Sequence, residues 1–271
     1  MTFIVEPISF QDNIFIFPLT ENDFSNDFGE YGLDMLCAAE NHHFWFLARN
    51  EIILSWCEKF IRRDGLFLEA GAGNGNVAHY LTKAGYNIAA GDIYLSGLQQ
   101  ARKCGVKTCY LFDLYHPPFV DHFDAIGMFD VLEHLEDETA VLNNCRTMLK
   151  KEGRMIMTVP AFNFLWSRED AYGHKRRYDK AGLIKKVTSS GFHILHCSYI
   201  FSFITPLLVL RTILHPDDGS PITQAEINAY DIQILPLINT LLLKLCRLEN
   251  KFSGWTEKLP GGSLMIVAQK K

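Results

Sequence analysis

The chain has 271 residues, of which 48% are hydrophobic and 21% charged, a composition typical of a globular protein and not of a disordered or fibrous one. Its 26 basic and 31 acidic side chains give a formal charge of −5, which argues against a broad surface for nucleic acid. Seven scattered cysteines offer no ligand spacing for zinc and favour reduced thiols, so we expect a cytoplasmic protein.

The N-terminal segment, residues 1–60, is predicted to form a cap that precedes the core. It lacks a basic start followed by an apolar run and a cleavage site, so we expect no secretion signal. Its aromatic-rich stretch at 40–60 is predicted to be helical. The rest of the chain divides into a core at 61–200, a helical insertion at 201–258 and a closing strand of the core at 259–271.

In the core, short apolar runs alternate with amphipathic stretches of helical period, which predicts βαβ units and a parallel sheet. Six strands are predicted, at 66–70, 87–91, 108–112, 125–129, 154–159 and 193–199. Four helices lie between them, at 76–83, 96–103, 138–150 and 180–190, and each is followed by a glycine that ends it: Gly85, Gly105, Gly153 and Gly191. The pattern predicts an α/β fold with helices on both faces of the sheet.

A seventh strand at 263–269 is expected to close the sheet after the insertion. The insertion contains two apolar runs, at 200–214 and 234–245, which are too short for membrane-spanning helices. We expect these runs to be buried, with a dimer interface or an apolar substrate tunnel as alternatives. If exposed, they would dock on a membrane surface, although the composition does not require a membrane. A homodimer is also allowed.

The clearest functional signal is the run LFLEAGAGNG at 66–75, in which a buried strand enters a glycine-rich turn and then a helix. Glycines let the backbone turn tightly and approach a ligand, and the carboxyl ends of parallel strands leave a crevice for it. Asp92, about 20 residues later, can hold two ribose hydroxyls. The turn therefore predicts a nucleotide-type site, but Asn76 stands where the nicotinamide fingerprint requires a third glycine.

The order of Glu69, the turn glycines and Asp92 resembles motif I and the acidic loop of class I S-adenosylmethionine-dependent methyltransferases. The run FDVLEHLED at 129–137 resembles the fourth-strand motif of type 11 and ubiquinone-pathway methyltransferases. The resemblance covers residues 65–199 and the last strand, and the flanks are similar to a bacterial subset of undefined substrate. It implies a Rossmann-like sheet of seven mostly parallel strands and S-adenosylmethionine as the cofactor.

The resemblance also implies roles for the cofactor-binding residues. Glu69 would help to hold the methionine amino group, and Asp92 would bind the ribose hydroxyls. Asp113 and Leu114 would hold the adenine. The remaining implied contacts come from the turn and the residue after Asp92, namely Gly71, Ala72, Gly73, Asn74, Gly75 and Ile93.

Two further side chains are candidates for the cofactor site, each with a structural alternative. Arg49 could pair with the cofactor carboxylate if the cap folds over the site, or it could be a solvated residue of an amphipathic helix. Phe129 could place its ring near the sulfonium, where a cation–π contact is worth about 0.5–2 kcal/mol. Its alternative role is simple packing.

Two histidines are candidates for acid–base catalysis. An oxygen or nitrogen acceptor loses a proton on methylation, and imidazole titrates near neutral pH. His134 follows the fourth strand of the core, and His174 lies in a segment that follows the fifth strand and should reach the same rim. No set of histidines has the spacing of metal ligands, so we expect no metal.

The segment at 170–178 is unusually rich in charge for a connection. Arg176 and Arg177 could grip a carboxylate or phosphate of the substrate, with Tyr172 and Tyr178 contributing rings or hydroxyls. The alternative is that one arginine pairs with a nearby acid such as Glu169 and orders the loop.

These features predict methyl transfer to a small-molecule or lipid-like acceptor, at oxygen, nitrogen or carbon. A nicotinamide-dependent Rossmann oxidoreductase is one alternative, disfavoured by Asn76 and by the absence of a hydride-transfer motif. A non-catalytic S-adenosylmethionine-binding protein is the other. A nucleic-acid methyltransferase ranks last, because residues 130–133 are not an Asn-Pro-Pro-Tyr motif and no basic extension is present.

Overall fold

A nine-stranded, mostly parallel sheet forms the centre of the molecule. The computed structural model describes residues 5–19, 39–168, 170–171, 173–217, 219–220 and 235–271. The strands are β1 (Ser9–Gln11), β2 (Ile14–Ile16), β3 (Leu66–Ala70), β4 (Asn87–Asp92), β5 (Cys109–Leu111), β6 (Phe123–Phe129), β7 (Leu149–Pro160), β8 (Phe192–Ile200) and β9 (Ser263–Lys270). The helices are α1 (Phe44–Phe60), α2 (Asn76–Lys83), α3 (Leu95–Lys103), α4 (Glu138–Met148), α5 (Lys180–Ser189), α6 (Thr205–Leu214), α7 (Pro236–Lys251) and α8 (Ser253–Thr256).

The spatial order of the strands is β1-β2-β5-β4-β3-β6-β7-β9-β8. The central strand β3 pairs in parallel with β4 on one side and β6 on the other, so that Leu68 lies opposite both Ala89 and Ile126. The chain first extends the sheet through β4 and β5 and then returns to the other side of β3 with β6. This reversal creates a crevice at the carboxyl ends of β3, β4 and β6, where ligands bind in open α/β sheets.

The α/β class and the seven predicted strands are confirmed, but the sheet contains two more strands than expected. Residues 9–16, interpreted as part of a helical cap, form a hairpin whose second strand pairs in parallel with β5. Its two-residue turn consists of Asp12 and Asn13, both with positive φ, as the tight turns of hairpins require. Ile14 is buried against the core, which fixes the register of the hairpin.

The helix predicted at 138–150 ends two residues earlier than expected, at Met148. Strand β7 begins directly afterwards, and an irregularity in its pairing with β6 separates Leu149 from Arg154. Gly153 therefore lies inside a strand, and its prediction as the glycine that ends α4 is wrong. The reason is that Leu149 already pairs with Phe123, so the chain cannot continue as a helix.

Helices cover both faces of the sheet, and each face has its own core. One core cluster lies under α1, α2 and α3 and includes Trp56 and Leu81. The other lies under α4 and α5 and includes Leu142 and Val187. Because both faces are covered, the central strands are apolar almost throughout, as in β6 with its sequence FDAIGMF.

The insertion packs against the cap helix α1 through polar contacts from α7. Arg247 lies 2.6 Å from Glu51 in an ion pair, and the side-chain oxygen of Asn239 accepts the backbone N–H of Phe44 at 2.8 Å. The opposite face of the insertion is exposed to solvent. Its most exposed apolar residue is Leu237, with an exposed fraction of 86%. Other exposed apolar residues of α6 and α7 are Leu207, Leu210, Ile213, Leu214, Ile238, Leu241 and Leu248.

The expectation that both apolar runs are buried is wrong for this face. Helix α6 contains no buried residue, and α7 buries only Leu242, Cys246 and Glu249, because it packs mainly on α1 along one side. Within the described part of the chain, the helices are all too short or too polar to cross a bilayer.

Replacement of Gly75 by alanine is expected to destabilise the protein more than the matched change at Gly85. Both glycines have positive φ, 71° and 88°, where an alanine costs about 1–2 kcal/mol. A Cβ at Gly75 would lie 2.4 Å from the Cβ of Ala101, whereas nothing lies within 4 Å at Gly85. Crowding adds about 1–3 kcal/mol to the loss for Gly75→Ala. Urea unfolding of the two variants measures the difference, and equal losses would contradict the packing described.

Candidate functional site

The glycine-rich turn between β3 and α2 is held by neighbours on two sides. The backbone N–H groups of Gly71 and Ala72 donate to the carbonyl oxygen of Gly91 at 2.8 and 3.0 Å, which ties the turn to the end of β4. Gly71 has φ of 74°, and a Cβ there would lie 2.6 Å from the side chain of Val131. The turn therefore packs directly on the segment that follows β6, and an L side chain does not fit at this position.

Asp92 ends β4 with its side chain turned onto the glycine-rich turn. It is 8% exposed, and its Oδ2 accepts the N–H of Gly73 at 2.7 Å while Oδ1 accepts that of Tyr94 at 2.9 Å. Burial raises the pKa of Asp92, and these N–H donors oppose the rise. The predicted ribose ligand thus also fixes the turn, with Asn74 buried and Ile93 half-buried beside it.

The predicted adenine residues lie at the end of the neighbouring strand. Asp113 follows β5, which pairs with β4 so that Asp92 lies opposite Leu111. Its buried carboxylate accepts the N–H of Tyr115 at 3.0 Å and contacts Nδ1 of His116 at 2.9 Å. Leu114 is half-buried next to it. The structure brings the predicted ribose and adenine residues to one rim of the sheet; their contacts with a ligand remain predictions.

Glu69 is fully buried in β3, and its Oε2 accepts the N–H of Ala78 in the first turn of α2 at 2.6 Å. Burial raises the pKa of Glu69 to about 8, opposed by the charge of Arg49 and the bond from Ala78. Burial also raises the pKa of Glu40 to about 7, again opposed by Arg49, and by a hydrogen bond with Asn76. Glu40, which sequence patterns did not identify as a site residue, thus places a second, half-buried acid near Arg49.

Arg49 reaches from α1 to the carboxyl end of β6. Its Nη2 donates to the carbonyl oxygen of Phe129 at 3.1 Å, and its Nε lies 3.2 Å from Oδ2 of Asp130. Asp130 has φ of 58°, a left-handed conformation that aspartate tolerates, and its N–H donates to the carbonyl of Thr158. These contacts join the cap helix to the end of β6, and binding of a cofactor carboxylate by Arg49 remains a prediction.

The ring of Phe129 lies in the core on the α1 side of the sheet. It is almost fully buried, and a Cβ at Gly127 would lie 2.7 Å from it. The neighbouring ring of Phe67 shares this contact. The geometry therefore supports the packing alternative, and a role near the sulfonium remains a prediction.

The two candidate catalytic histidines meet beside a buried glutamate. The ring centroids of His134 and His174 are 4.8 Å apart, with the rings nearly perpendicular. The Oε1 atom of Glu133 lies 3.9 Å from Nε2 of His174, and Glu133 is fully buried. Burial raises the pKa of Glu133 well above its usual range, with a further increase from Asp130. The FDVLEHLED run contains Glu133, but its meeting with His174 was not visible in the sequence.

Asp170 orders the segment that carries His174. Its Oδ1 accepts from Nδ1 of His174 at 2.7 Å, and Arg177 donates to both carboxylate oxygens at 2.9 and 2.8 Å. Burial by itself would raise the pKa of Asp170, but the bonds from His174 and Arg177 outweigh burial and hold the pKa well below its usual range. The spacing from Asp170 to His174 is the only sequence signal for this arrangement.

The neighbouring arginine and tyrosine are also engaged by the protein itself. Arg176 lies 2.8 Å from Oε2 of Glu138 and donates to the carbonyl of Leu135, and the hydroxyl of Tyr178 donates to Oε1 of Glu138 at 2.6 Å. The geometry supports the loop-ordering alternative, with Asp170 and Glu138 as the acids. Glu169 and Tyr172 lie outside the described residues, and substrate contacts of this segment remain predictions.

Residues 68–157 match a family model described as a methyltransferase domain. Among curated proteins, the ubiquinone biosynthesis O-methyltransferase of Actinobacillus pleuropneumoniae serotype 7 is 27% identical over 107 residues, which cover 34% of this chain and 46% of that protein. The chain spans about half the length of the curated relatives it matches.

Two solved structures show the same fold at low sequence identity. One is a SAM-dependent methyltransferase of Thermotoga maritima, described as a possible histamine N-methyltransferase, with a TM-score of 0.55, 18% identity and coverage of 88% of this chain and 94% of that one. The other is phosphoethanolamine N-methyltransferase 2 of Haemonchus contortus in complex with S-adenosyl-L-methionine, with a TM-score of 0.59, 14% identity and coverage of 93% and 60%.

Replacement of Glu69 by glutamine is expected to flatten the dependence of stability on pH. The pKa of Glu69 is about 8 in the folded protein against an ordinary value of 4.5, so the carboxyl favours folding while protonated. Its contribution is complete below about pH 4.5 and is lost as the pH rises through about 8. Urea unfolding across this window should show a smaller decline for Glu69→Gln than for the parent protein.

The control for this measurement is Glu58→Gln, which changes an exposed glutamate of α1 paired with Arg63. This variant should keep the decline of the parent protein. A parallel decline in all three proteins would show that Glu69 is not held protonated by burial.

Proposed function

We propose, on the premise that this chain carries a class I S-adenosylmethionine-dependent methyltransferase domain, that it transfers a methyl group to an oxygen of a small or lipid-like acceptor. S-adenosylmethionine supplies a methyl group activated on a sulfonium. The protein therefore has to bind the cofactor and the acceptor, orient them for transfer, and stabilise the charges that change during the reaction. The observation that carries the proposal is the buried Asp92 carboxylate, which fixes the glycine-rich turn at the reversal point of the sheet.

The residues at this rim fit a cofactor with a cationic amino group and a ribose. A cation beside Glu69 would offset the cost of charging this fully buried carboxyl, whose pKa is about 8 without it. Asp92 is oriented by backbone N–H groups and lies at the edge of the crevice, as a ligand of ribose hydroxyls must. Asp113 and Leu114 take the adenine at the end of the next strand.

Arg49 would hold the cofactor carboxylate from the side of the cap. Its guanidinium is largely buried and already bonds to the carbonyl of Phe129 and to Asp130, so it is held at the carboxyl end of β6. A guanidinium has five N–H donors, which leaves capacity for a further carboxylate. The cap helix would then complete the cofactor site.

The acceptor would bind on the side of Glu133, His134 and His174. Glu133 and His134 follow Val131, whose side chain contacts the glycine-rich turn at Gly71. The acceptor side would therefore lie directly beside the cofactor site. The three side chains would accept or transfer the proton that a hydroxyl acceptor loses on methylation.

The names of the curated relatives support an oxygen acceptor, and an exposed apolar face supports a lipid-like one. The curated relatives are named ubiquinone biosynthesis O-methyltransferases. The methyltransferase-domain model matches residues 68–157, which include Asp92, Asp113 and Glu133 of the rim. The exposed apolar face of α6 and α7 would suit a lipid-like acceptor or the surface of a membrane that contains it.

The Asp92→Asn variant is expected to bind S-adenosylmethionine about 10–100-fold more weakly than the parent protein. The amide keeps the shape of the carboxylate but loses its charge and one acceptor, and a hydrogen bond to a charged group contributes about 1.5–3 kcal/mol. Calorimetric titration gives the affinity, and release of S-adenosylhomocysteine in the presence of catechol, a hydroxyl acceptor, gives the turnover.

The matched control is Asp124→Asn, because Asp124 also accepts a backbone N–H, that of Leu66 at 2.8 Å, but lies at the opposite end of β3. It should bind S-adenosylmethionine as the parent protein does. An unchanged affinity in Asp92→Asn would contradict the ribose assignment, and turnover with benzylamine in place of catechol would contradict the oxygen acceptor.

A further inference from the structure

Glu133, His134 and His174 bring three potential metal ligands together. One carboxylate oxygen and one ring nitrogen from each histidine all lie within 4.8 Å of one another. Sequence spacing predicted no metal, because His174 is far from the other two in the chain and approaches them only through the fold. The combination of two imidazoles and one carboxylate is a common ligand set for divalent first-row transition metals.

Both histidines have the outer hydrogen bonds that metal ligands usually have. Nδ1 of His134 lies 3.0 Å from the carbonyl oxygen of Gly173, and Nδ1 of His174 lies 2.7 Å from Oδ1 of Asp170. Both partners only accept hydrogen bonds, so in each neutral ring Nδ1 carries the proton and Nε2 carries the lone pair. Such outer contacts fix the tautomer and orientation of metal-binding histidines.

The carboxylate of Glu133 is the observation that points to an ion. Glu133 is fully buried, and neither of its oxygens has a hydrogen-bond partner among the described residues. Burial of an unpartnered carboxylate is costly, and such groups are paired or bind metals in folded proteins. Its Oε1 atom lies 3.9 Å from Nε2 of His174, too far for a hydrogen bond.

The spacing and the charge around the cluster suit a cation. Ligands at about 2.1 Å from one ion lie at most about 4.2 Å apart, so closure requires side-chain movements of less than about 1 Å. The nearby guanidiniums of Arg49 and Arg177 pair with Asp130 and Asp170, so within the described residues no arginine forms an ion pair with Glu133.

We propose that Glu133, His134 and His174 bind one divalent first-row transition-metal ion, such as Mn²⁺. Three protein ligands leave coordination positions open, as catalytic metal sites do. Metal binding itself does not depend on the proposed function, but the role of the ion does rest on it. With the three side chains bound to the ion, the ion would lower the pKa of a bound hydroxyl in place of direct proton transfer to a histidine. The proton would pass to solvent as the hydroxyl oxygen bonds to the methyl carbon and the carbon–sulfur bond breaks to release S-adenosylhomocysteine.

The test is titration of the full chain with Mn²⁺ after removal of metals by EDTA and dialysis. The parent protein should bind one Mn²⁺ per chain, and bound Mn²⁺ should raise its melting temperature. His174→Gln should bind Mn²⁺ at least tenfold more weakly. The matched control is His116→Gln, because His116 also contacts an aspartate, Asp113 at 2.9 Å, but has no second histidine or unpartnered carboxylate beside it.

A second variant keeps the test decisive if His174→Gln fails to fold. Glu133→Gln should lose both Mn²⁺ binding and the thermal shift, because a neutral amide is a much weaker ligand for the ion than a carboxylate. Absence of stoichiometric binding by the parent protein, or undiminished binding by both variants, would overturn the proposal. Titration with S-adenosylmethionine without metal separates such a failure from a failure of the proposed function.

Discussion

The hydrogen bond from the backbone N–H of Gly73 to the buried carboxylate of Asp92 is the interaction around which the site is organised. It joins the turn after β3 to the end of β4, next to the point where the strand order reverses. A second contact, between Gly71 and Val131, joins the same turn to the segment after β6. The ends of three parallel strands are thereby fixed relative to one another, and each carries a different part of the proposed chemistry.

Buried acids are concentrated at this rim, and the protein compensates for only part of their charge. Arg49 pairs with Asp130 and lowers the pKa of Glu69, yet burial still holds that pKa at about 8. On the far side, Asp170 is hydrogen-bonded by His174 and Arg177, whereas the carboxyl group of Glu133 has no hydrogen-bond partner in the part of the chain that the structure describes. Burial of these acids without ligands lowers the stability of the folded protein, and such an arrangement suits a site that binds cations. A cationic cofactor on one side of Val131 and a metal ion on the other would both relieve it.

Sequence patterns predicted the core of the fold because its signals are local. β3 and α2 have the predicted bounds, since an apolar run, a glycine-rich turn and an amphipathic stretch follow one another directly. The hairpin of β1 and β2 was missed because its strands have three residues each and depend on pairing with β5, far away in the chain. Burial was expected for the apolar runs of α6 and α7 and exposure was only an alternative, because an apolar run does not reveal how many neighbours pack against it.

In the candidate site, too, residues with a local sequence signal were predicted, and contacts that depend on the fold were not. Gly71 and Asp92 were predicted as site residues because they follow predicted strands next to the glycine-rich turn, and Asp113 was predicted from the resemblance to class I methyltransferases. The partners of His174 and Arg177 depend on how a loop folds, and the sequence contained no signal that Glu133 would meet His174 or that Asp170 would hold both the histidine and the arginine. For Phe129 the sequence left ligand contact and packing as alternatives, and the burial of its ring supports packing.

The most direct test of the central claim, that the turn and Asp92 hold an S-adenosyl cofactor, is calorimetric titration of the purified chain with S-adenosylmethionine, S-adenosylhomocysteine and NADPH in separate experiments. The first two should bind with one site per chain, and NADPH should not bind. Binding of NADPH alone would contradict the claim and would identify the turn as a nicotinamide site despite Asn76.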